Sequence, residues 1–184
     1  MLFRSETPLK AIAEVMGNAD ARFALAEFYL RMKRPTDATP ILESLAKDEQ
    51  TYALATARLA AVDYSEGRTA QAHSKVDGVL SKAPTNRTAL FLKGQLLAAE
   101  RRFDEALKVL KQAAAVDPVR SAEPDLVIAK VYLAQGQLEE AFDAYRRVLS
   151  RDQNSVQGQF GLAQVYVARG ELQSALAMAR GAVN

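Results

Sequence analysis

The sequence predicts an all-α fold, a right-handed α-solenoid of stacked antiparallel helical hairpins. Three observations predict it: residues of matching type return every 34 positions, small side chains recur in phase with that period, and turn-forming residues separate two amphipathic segments within each period. Self-similarity at a fixed period of about 20–50 residues is the signature of a repeat architecture, in which each unit buries its apolar face against its neighbours.

The period divides the chain into units. Pro84 and Pro118, which end two predicted helices, lie one period apart. We expect residues 1–18 to be a partial preceding repeat or an N-terminal helix, and residues 19–184 to form one solenoid. Ser121 is a single extra residue between the third and fourth units. The units of the solenoid are predicted at 19–52, 53–86, 87–120, 122–155 and 156–184.

The third unit shows the two helices of one hairpin most clearly. Leu110, Ala113 and Ala114 lie on one face of its second predicted helix, at the i, i+3, i+4 spacing. A polar break at residues 100–102 separates this helix from the first one. Pro118 ends the second helix, because proline cannot continue a helix and disfavours helical backbone at the preceding residue.

Small side chains occupy two fixed places in every unit. A side chain no larger than a methyl group lets the two helices of a hairpin approach closely. All ten slots hold alanine or glycine, so an accidental match in an alanine-rich bundle is a poor explanation. The eighth place holds Ala26, Ala60, Gly94, Ala129 and Ala163, and the twentieth holds Ala38, Ala72, Ala106, Ala141 and Ala175.

This pattern resembles the tetratricopeptide repeat family, whose repeat has about 34 residues. The resemblance covers about nine-tenths of the chain and implies a bacterial-type repeat array. Besides the small pairs, the matching residues are Tyr29, Tyr132 and Tyr166 in the first helices, Gly67, Gly136 and Gly170 in the turns, Phe103, Leu138 and Leu172 at the start of the second helices, and the closing Pro84 and Pro118.

Several places depart from the family pattern. Lys93 stands where leucine is usual, and Asp63 stands where tyrosine is usual. In the first unit Pro35 takes a large apolar place, and Pro40 is expected in the first turn of the second helix, where proline is tolerated. The helix boundaries of this unit are therefore expected to shift by a few residues.

Both ends of the chain are predicted to interrupt a repeat unit. Residues 9–16 carry apolar side chains on one helical face, and the last residues, including Leu176 and Val183, form an apolar face with no polar helix after it. Because solenoids need terminal units with a polar outer face, we expect a fragment of a longer protein. The alternative is a complete small protein that covers its ends by self-association.

The resemblance implies a concave groove lined by the first helix of each unit, which suits an extended segment or a helix as ligand. The fifth places hold aromatic or aliphatic residues, so the Lys and Asn clamp with which chaperone-binding relatives hold a carboxylate is absent. The ligand is therefore expected to be an apolar peptide or amphipathic helix, whose backbone the groove amides would bind. The predicted groove residues are Phe23, Glu27, Ala57, Tyr64, Phe91, Gln95, Leu126, Lys130, Phe160 and Gln164.

An alternative for the groove phenylalanines is that they pack between neighbouring first helices, since a buried aromatic is normally part of a core. RNA-reading helical repeats use small polar side chains to read one base per repeat. The aromatic and aliphatic fifth places and the net charge of +2 argue against that function.

Composition argues against catalysis and cofactors. His73 is the only histidine and there is no cysteine, so no zinc site is expected. Single, scattered glycines give no phosphate-cradling loop. We expect no enzyme activity, no cofactor and no metal. No apolar run approaches the roughly 20 residues of a membrane helix, so we expect a soluble chain without membrane insertion, in a cytoplasm or in a bacterial periplasm or cell envelope.

The function hypothesis is a protein–protein interaction scaffold that binds a peptide or helix in an apolar concave groove. Its expected partner is another protein or peptide, without nucleic acid, and self-association through the uncapped ends is a further expectation. Two alternatives stay open: a self-associating structural repeat array, and a regulatory or targeting section of a larger protein.

Overall fold

The computed structural model describes residues 10–11, 13, 17–118 and 122–181 of the chain. This part consists of ten α-helices and turns, without a strand, which confirms the all-α prediction. The chain divides into two compact units, Met1–Pro84 and Thr85–Asn184. Within the described ranges, every helix falls short of the length or the apolar character that a bilayer-spanning segment requires.

The first compact unit contains two helical hairpins. Helix α1 packs on α2 and helix α3 on α4, and α2 also contacts α3. The shared core combines the small Ala26 and Ala38 with Leu42, Leu45 and Leu59. The helix bounds are α1 (Ala19–Arg31), α2 (Pro35–Leu45), α3 (Glu49–Ser65) and α4 (Thr69–Lys82).

The predicted helix at residues 9–16 is described only in part. Lys10, Ala11 and Ala13 are helical, and Ala13 is buried in the core of the first compact unit. Other residues that carried sequence predictions lie outside the described part of the chain, namely Leu9, Ile12, Met16, Ser121 and Val183.

The position predicted for Pro40 is wrong by one turn. Helix α2 begins at Pro35, whose missing N–H costs nothing at the first helical position. Pro40 therefore lies inside the helix, beyond the first turn, where it cannot donate the usual hydrogen bond to the carbonyl four residues earlier. Its side chain is exposed.

Helix α3 begins at Glu49, ahead of residue 53, at which the second repeat unit was predicted to start. Asp48 causes the early start because its side-chain oxygen accepts a hydrogen bond from the Gln50 backbone nitrogen at 2.8 Å. Such a cap satisfies a backbone N–H that has no partner within the helix.

The second compact unit contains three hairpins, α5 with α6, α7 with α8 and α9 with α10. Helix α7 contacts both α5 and α9, so the first helices of the hairpins are successive neighbours. The helix bounds are α5 (Arg87–Ala99), α6 (Phe103–Val116), α7 (Ala122–Ala134), α8 (Leu138–Arg151), α9 (Val156–Ala168) and α10 (Leu172–Gly181).

The small residues at the two fixed places are buried, as predicted. At Gly94 an added Cβ would lie 2.5 Å from Cγ of Leu110, on the other helix of the hairpin, so not even a methyl group fits there. Glycine at position 94 therefore lets the Leu110 side chain of α6 pack directly against the backbone of α5. At the twentieth place the exposed fraction is 0% for Ala38, Ala72, Ala106 and Ala141.

Every hairpin turns through a residue with positive φ at the same place of the repeat. In the third hairpin this residue is Arg101, whose N–H donates to the Ala98 carbonyl at 3.1 Å, while the Arg102 N–H donates to the Leu97 carbonyl at 2.9 Å. This pair of bonds is a Schellman motif, which normally takes glycine. The φ angles are +56° at Lys33, +80° at Gly67, +62° at Arg101, +73° at Gly136 and +79° at Gly170.

Glycine at position 101 is expected to stabilise the chain. The left-handed conformation costs a residue with a Cβ about 1–2 kcal/mol, and the greater entropy of glycine in the unfolded chain offsets part of the gain. Arg101→Gly should therefore raise the free energy of unfolding by about 0.5–1 kcal/mol in urea denaturation. Gly67→Ala, at the same place of another turn and with open space around its Cβ, should lower it; equal effects of the two changes would contradict the prediction.

Candidate functional site

An open groove of about 520 Å³ lies along α7 and α9, and we call it the α7–α9 groove. Three of the predicted ligand contacts come together in it: Lys130 from α7, and Phe160 and Gln164 from α9. Five further residues complete the lining: Leu133, Ala134, Tyr145, Gln157 and Gly161.

Tyr145 reaches the base of the groove from α8, because Gly161 leaves room for its ring. The ring is 1% exposed, and an added Cβ at Gly161 would lie 2.1 Å from its Cε1 atom. Burial raises the pKa of Tyr145 to about 12, so the phenol is protonated at neutral pH and keeps its O–H as a donor.

The walls of the groove combine apolar surface with polar groups that have no partner among the described residues. The Phe160 side chain is 60% exposed. Lys130 forms no ion pair with a described residue, and the amides of Gln157 and Gln164 form no hydrogen bond with one. The groove thus offers one cation and two amides beside an exposed aromatic ring.

In the first compact unit, two of the predicted contacts, Phe23 and Glu27, both engage Arg58 of α3. The Arg58 guanidinium lies 5.3 Å from the centre of the Phe23 ring, and its Nε lies 3.3 Å from Oε2 of Glu27. Phe23 and Ala57 are buried, and Tyr64 is half-buried. Phe23 therefore fits the alternative in which a groove phenylalanine packs between neighbouring first helices, because Arg58 of α3 covers its ring.

The remaining predicted contacts belong to the second compact unit. Phe91 and Leu126 are half-buried and pack against its core cluster, and Gln95 is exposed. The part that these three residues would play in ligand binding stays a prediction.

The sequence did not indicate how two buried carboxylates would be held. The Asp63 carboxylate accepts hydrogen bonds from Arg68 Nε at 2.8 Å and from Lys75 Nζ, which ties the end of α3 to the following turn and to α4. Asp125 on α7 similarly pairs with Arg151 on α8. These pairs join helices of one hairpin, and no described group of three or more His, Cys, Asp or Glu side chains is placed to hold a metal ion.

The predicted groove residues did not include Tyr145, which belongs to a second helix, or Gly161, which lies on a first helix but outside the repeat places predicted for the groove. A glycine in the middle of a helical pattern marks a close approach of another group. Gly161 carried that signal, and the group that approaches it is the Tyr145 ring.

Repeated hairpins with small residues at their crossings define a helical-repeat protein. A family model described as "Tetratricopeptide repeat" matches residues 63–131 and 132–184. The chain belongs to the tetratricopeptide repeat family, as the sequence pattern predicted. Comparison with the curated proteins gives no match.

Solved structures show the same fold. PilF of Pseudomonas aeruginosa superposes with a TM-score of 0.79 at 20% identity, over 89% of this chain and 74% of PilF. TTC0263, a thermophilic tetratricopeptide repeat protein of Thermus thermophilus, gives 0.73 at 22% identity, over 89% of both chains. MamA of Desulfovibrio magneticus RS-1, from residue 41 to its end, gives 0.70 at 21% identity, over 90% of this chain and 93% of that part of MamA. The tetratricopeptide repeat fold to which the family model assigns this chain generally serves as a scaffold for binding other proteins.

Proposed function

We propose that the chain is a protein-interaction scaffold that binds an apolar peptide or an amphipathic helix in the α7–α9 groove. The observation that carries this proposal is Phe160, a large aromatic side chain that is 60% exposed beside an open groove. Aromatic side chains are enriched among the residues that dominate binding energy, and burying one against a ligand removes a large apolar area from water.

The polar groups of the groove define the chemistry of its ligand. Lys130, without an ion pair among described residues, favours a ligand with an acidic side chain beside its apolar ones. Gln157 and Gln164 carry free donors and acceptors that suit the polar edge of a helix or an extended backbone. An acidic residue next to two or three apolar residues is therefore the expected recognition sequence.

Phe160→Glu is expected to weaken ligand binding at least tenfold, because it puts a carboxylate where apolar contact is needed. Peptides would be selected from a random displayed library on the wild-type chain, and their dissociation constants measured by fluorescence anisotropy for both chains. The matched control is Val116→Glu, an equal change at an exposed apolar residue of α6 outside the groove.

Two outcomes would contradict the groove proposal: equal affinity of selected peptides for wild type and Phe160→Glu, or loss of helicity in that variant by circular dichroism.

Lys130→Glu adds a test of the ligand chemistry. It should shift the selected peptides from acidic to basic residues, since it reverses the charge at the edge of the groove.

Self-association remains a second hypothesis, and the exposed apolar residues of the last hairpin favour it. A targeting or regulatory section of a larger protein is a third hypothesis. A scaffold function is compatible with each of them.

A further inference from the structure

The hydroxyl group of Tyr145 has no hydrogen-bond partner among the described residues, although the side chain is almost fully buried. Burial raises its pKa, and no hydrogen bond contributes to that shift. A buried tyrosine usually directs its O–H to an acceptor, because burying a polar group without a hydrogen bond costs free energy. Tyr145 departs from this rule at the base of the α7–α9 groove, which it lines.

Packing does not require a hydroxyl group at this place of the repeat. In the first three units the same place holds aliphatic side chains that are fully buried, namely Leu42, Val76 and Leu110. An aliphatic side chain is thus sufficient to fill the core there. Tyr145 brings an O–H group to a place that contributes only apolar surface in those units.

Gly161 gives the phenol end of the Tyr145 ring its room. An added Cβ at Gly161 would lie 2.2 Å from Cζ and 2.7 Å from the hydroxyl oxygen. Because Gly161 also lines the groove, the hydroxyl oxygen lies at the groove floor, open to the groove rather than sealed off from solvent. In the preceding units the place of Gly161 holds residues that all carry a Cβ: Ala24, Arg58, Leu92 and Val127.

The groove presents hydrogen-bond donors and a positive charge. Lys130 forms no ion pair with a described residue, and the amides of Gln157 and Gln164 add N–H donors. Among the described residues that line the groove there is no Asp or Glu. A carboxylate that enters the groove would therefore meet a cation and a phenol donor without a like charge beside it.

We propose that Tyr145 determines the specificity of the α7–α9 groove: its O–H donates a hydrogen bond to the carboxylate of an Asp or Glu side chain of the ligand, which Lys130 also binds. This inference rests on the proposed function and adds the residue that selects an acidic side chain over the amide of the same shape. A charged acceptor forms a stronger hydrogen bond than a neutral one. A phenol with a pKa of about 12 stays a donor throughout the neutral pH range.

Tyr145→Phe tests this assignment, because it removes the O–H and keeps the ring. Each peptide that the displayed library yields on the wild-type chain would be made with an amidated C-terminus, in its acidic form and with the acidic residue replaced by its amide. For the acidic form the dissociation constant measured by fluorescence anisotropy should rise at least about tenfold in Tyr145→Phe. For the amide form the change should stay within about twofold, since a neutral acceptor gains less from the phenol.

Tyr132→Phe is the matched control. It removes a hydroxyl group from α7 that does not line the groove, so both peptide forms should bind it as they bind the wild type. Urea denaturation separates ligand binding from a structural role of Tyr145. Tyr145→Phe should keep or raise the free energy of unfolding, because the O–H has no described partner to lose.

Four results would overturn the assignment: selected peptides without an acidic residue, equal affinity of the acidic peptides for wild type and Tyr145→Phe, an equal loss for the acidic and amide forms, or a lower free energy of unfolding in Tyr145→Phe. Each of them leaves the groove proposal standing as long as Phe160→Glu weakens binding. Acidic peptides that bind Phe160→Glu as tightly as the wild type would contradict the groove itself, and a library that yields no peptide would contradict both proposals.

Discussion

Replacing Gly161 by alanine is expected to lower the free energy of unfolding by about 1–3 kcal/mol. The new Cβ would lie 2.1 Å from Cε1 and 2.2 Å from Cζ of Tyr145, well inside contact distance. The Tyr145 ring cannot move aside easily, since it is 1% exposed and belongs to the core cluster of the second compact unit. The cost of this overpacking exceeds the helix-propensity gain of roughly 1 kcal/mol that alanine has over glycine.

Gly78→Ala is the matched control for this change, inside α4. Its Cβ would meet only the Tyr52 hydroxyl, at 3.8 Å, which is ordinary contact. With no clash to oppose it, the propensity gain should raise the free energy of unfolding by about 0.5–1 kcal/mol. Urea denaturation followed by circular dichroism measures both variants, and the same sign in both would contradict the packing described for Gly161.

The fold was predictable because it depends on side-chain size repeated along the chain. An alanine at a helix crossing, such as Ala106, acts through its small volume, which can be seen in the sequence without knowing its neighbours. The residue with positive φ in each turn was harder to recognise from the sequence. Gly67 signals a left-handed residue, but Arg101 does not, although both have positive φ at the same place of the repeat.

The groove was only partly predictable, because the exposure of a side chain depends on the helix that follows. Phe23 and Phe160 occupy the same place of the repeat. Phe23 is covered by Arg58 from α3, whereas Phe160 stays 60% exposed. The neighbouring side chains, rather than the residue type, separate these two phenylalanines.

The role of Asp63 depends on Arg68, whose place in the repeat also holds an arginine in the preceding unit. Arg34 and Arg68 are 34 residues apart, each at the start of the second helix of its hairpin. Arg34 lies 4.8 Å from the centre of the Tyr29 ring, and Arg68 forms an ion pair with Asp63, which occupies the place of that tyrosine. An arginine at this place can stack on a ring or bind a carboxylate, which explains why aspartate is accepted there.

Asp63→Asn is expected to lower the free energy of unfolding by about 2 kcal/mol at neutral pH, since it removes charge-assisted hydrogen bonds from Lys75 and Arg68. Burial by itself raises the pKa of Asp63, but the hydrogen bonds from Lys75 and Arg68 outweigh it and hold the pKa below 3.8. A carboxylate with a lowered pKa in the folded state contributes its full stability above about pH 4, and this contribution is lost as the pH falls through the folded-state pKa.

The dependence of the free energy of unfolding on pH below about pH 4 distinguishes the Asp63 ion pair from the other carboxylates. Between about pH 4 and pH 2 the wild type should lose more stability than Asp63→Asn does, because the variant has no proton to take up at this position. Lys75→Gln should make the loss smaller than in the wild type, since the carboxylate then has one donor fewer to hold its folded-state pKa below the unfolded-state value. Asp143→Asn, the same change at an exposed carboxylate of α8, should keep the wild-type curve. Parallel curves for wild type and Asp63→Asn would show that the Asp63 pair does not stabilise the hairpin of α3 and α4.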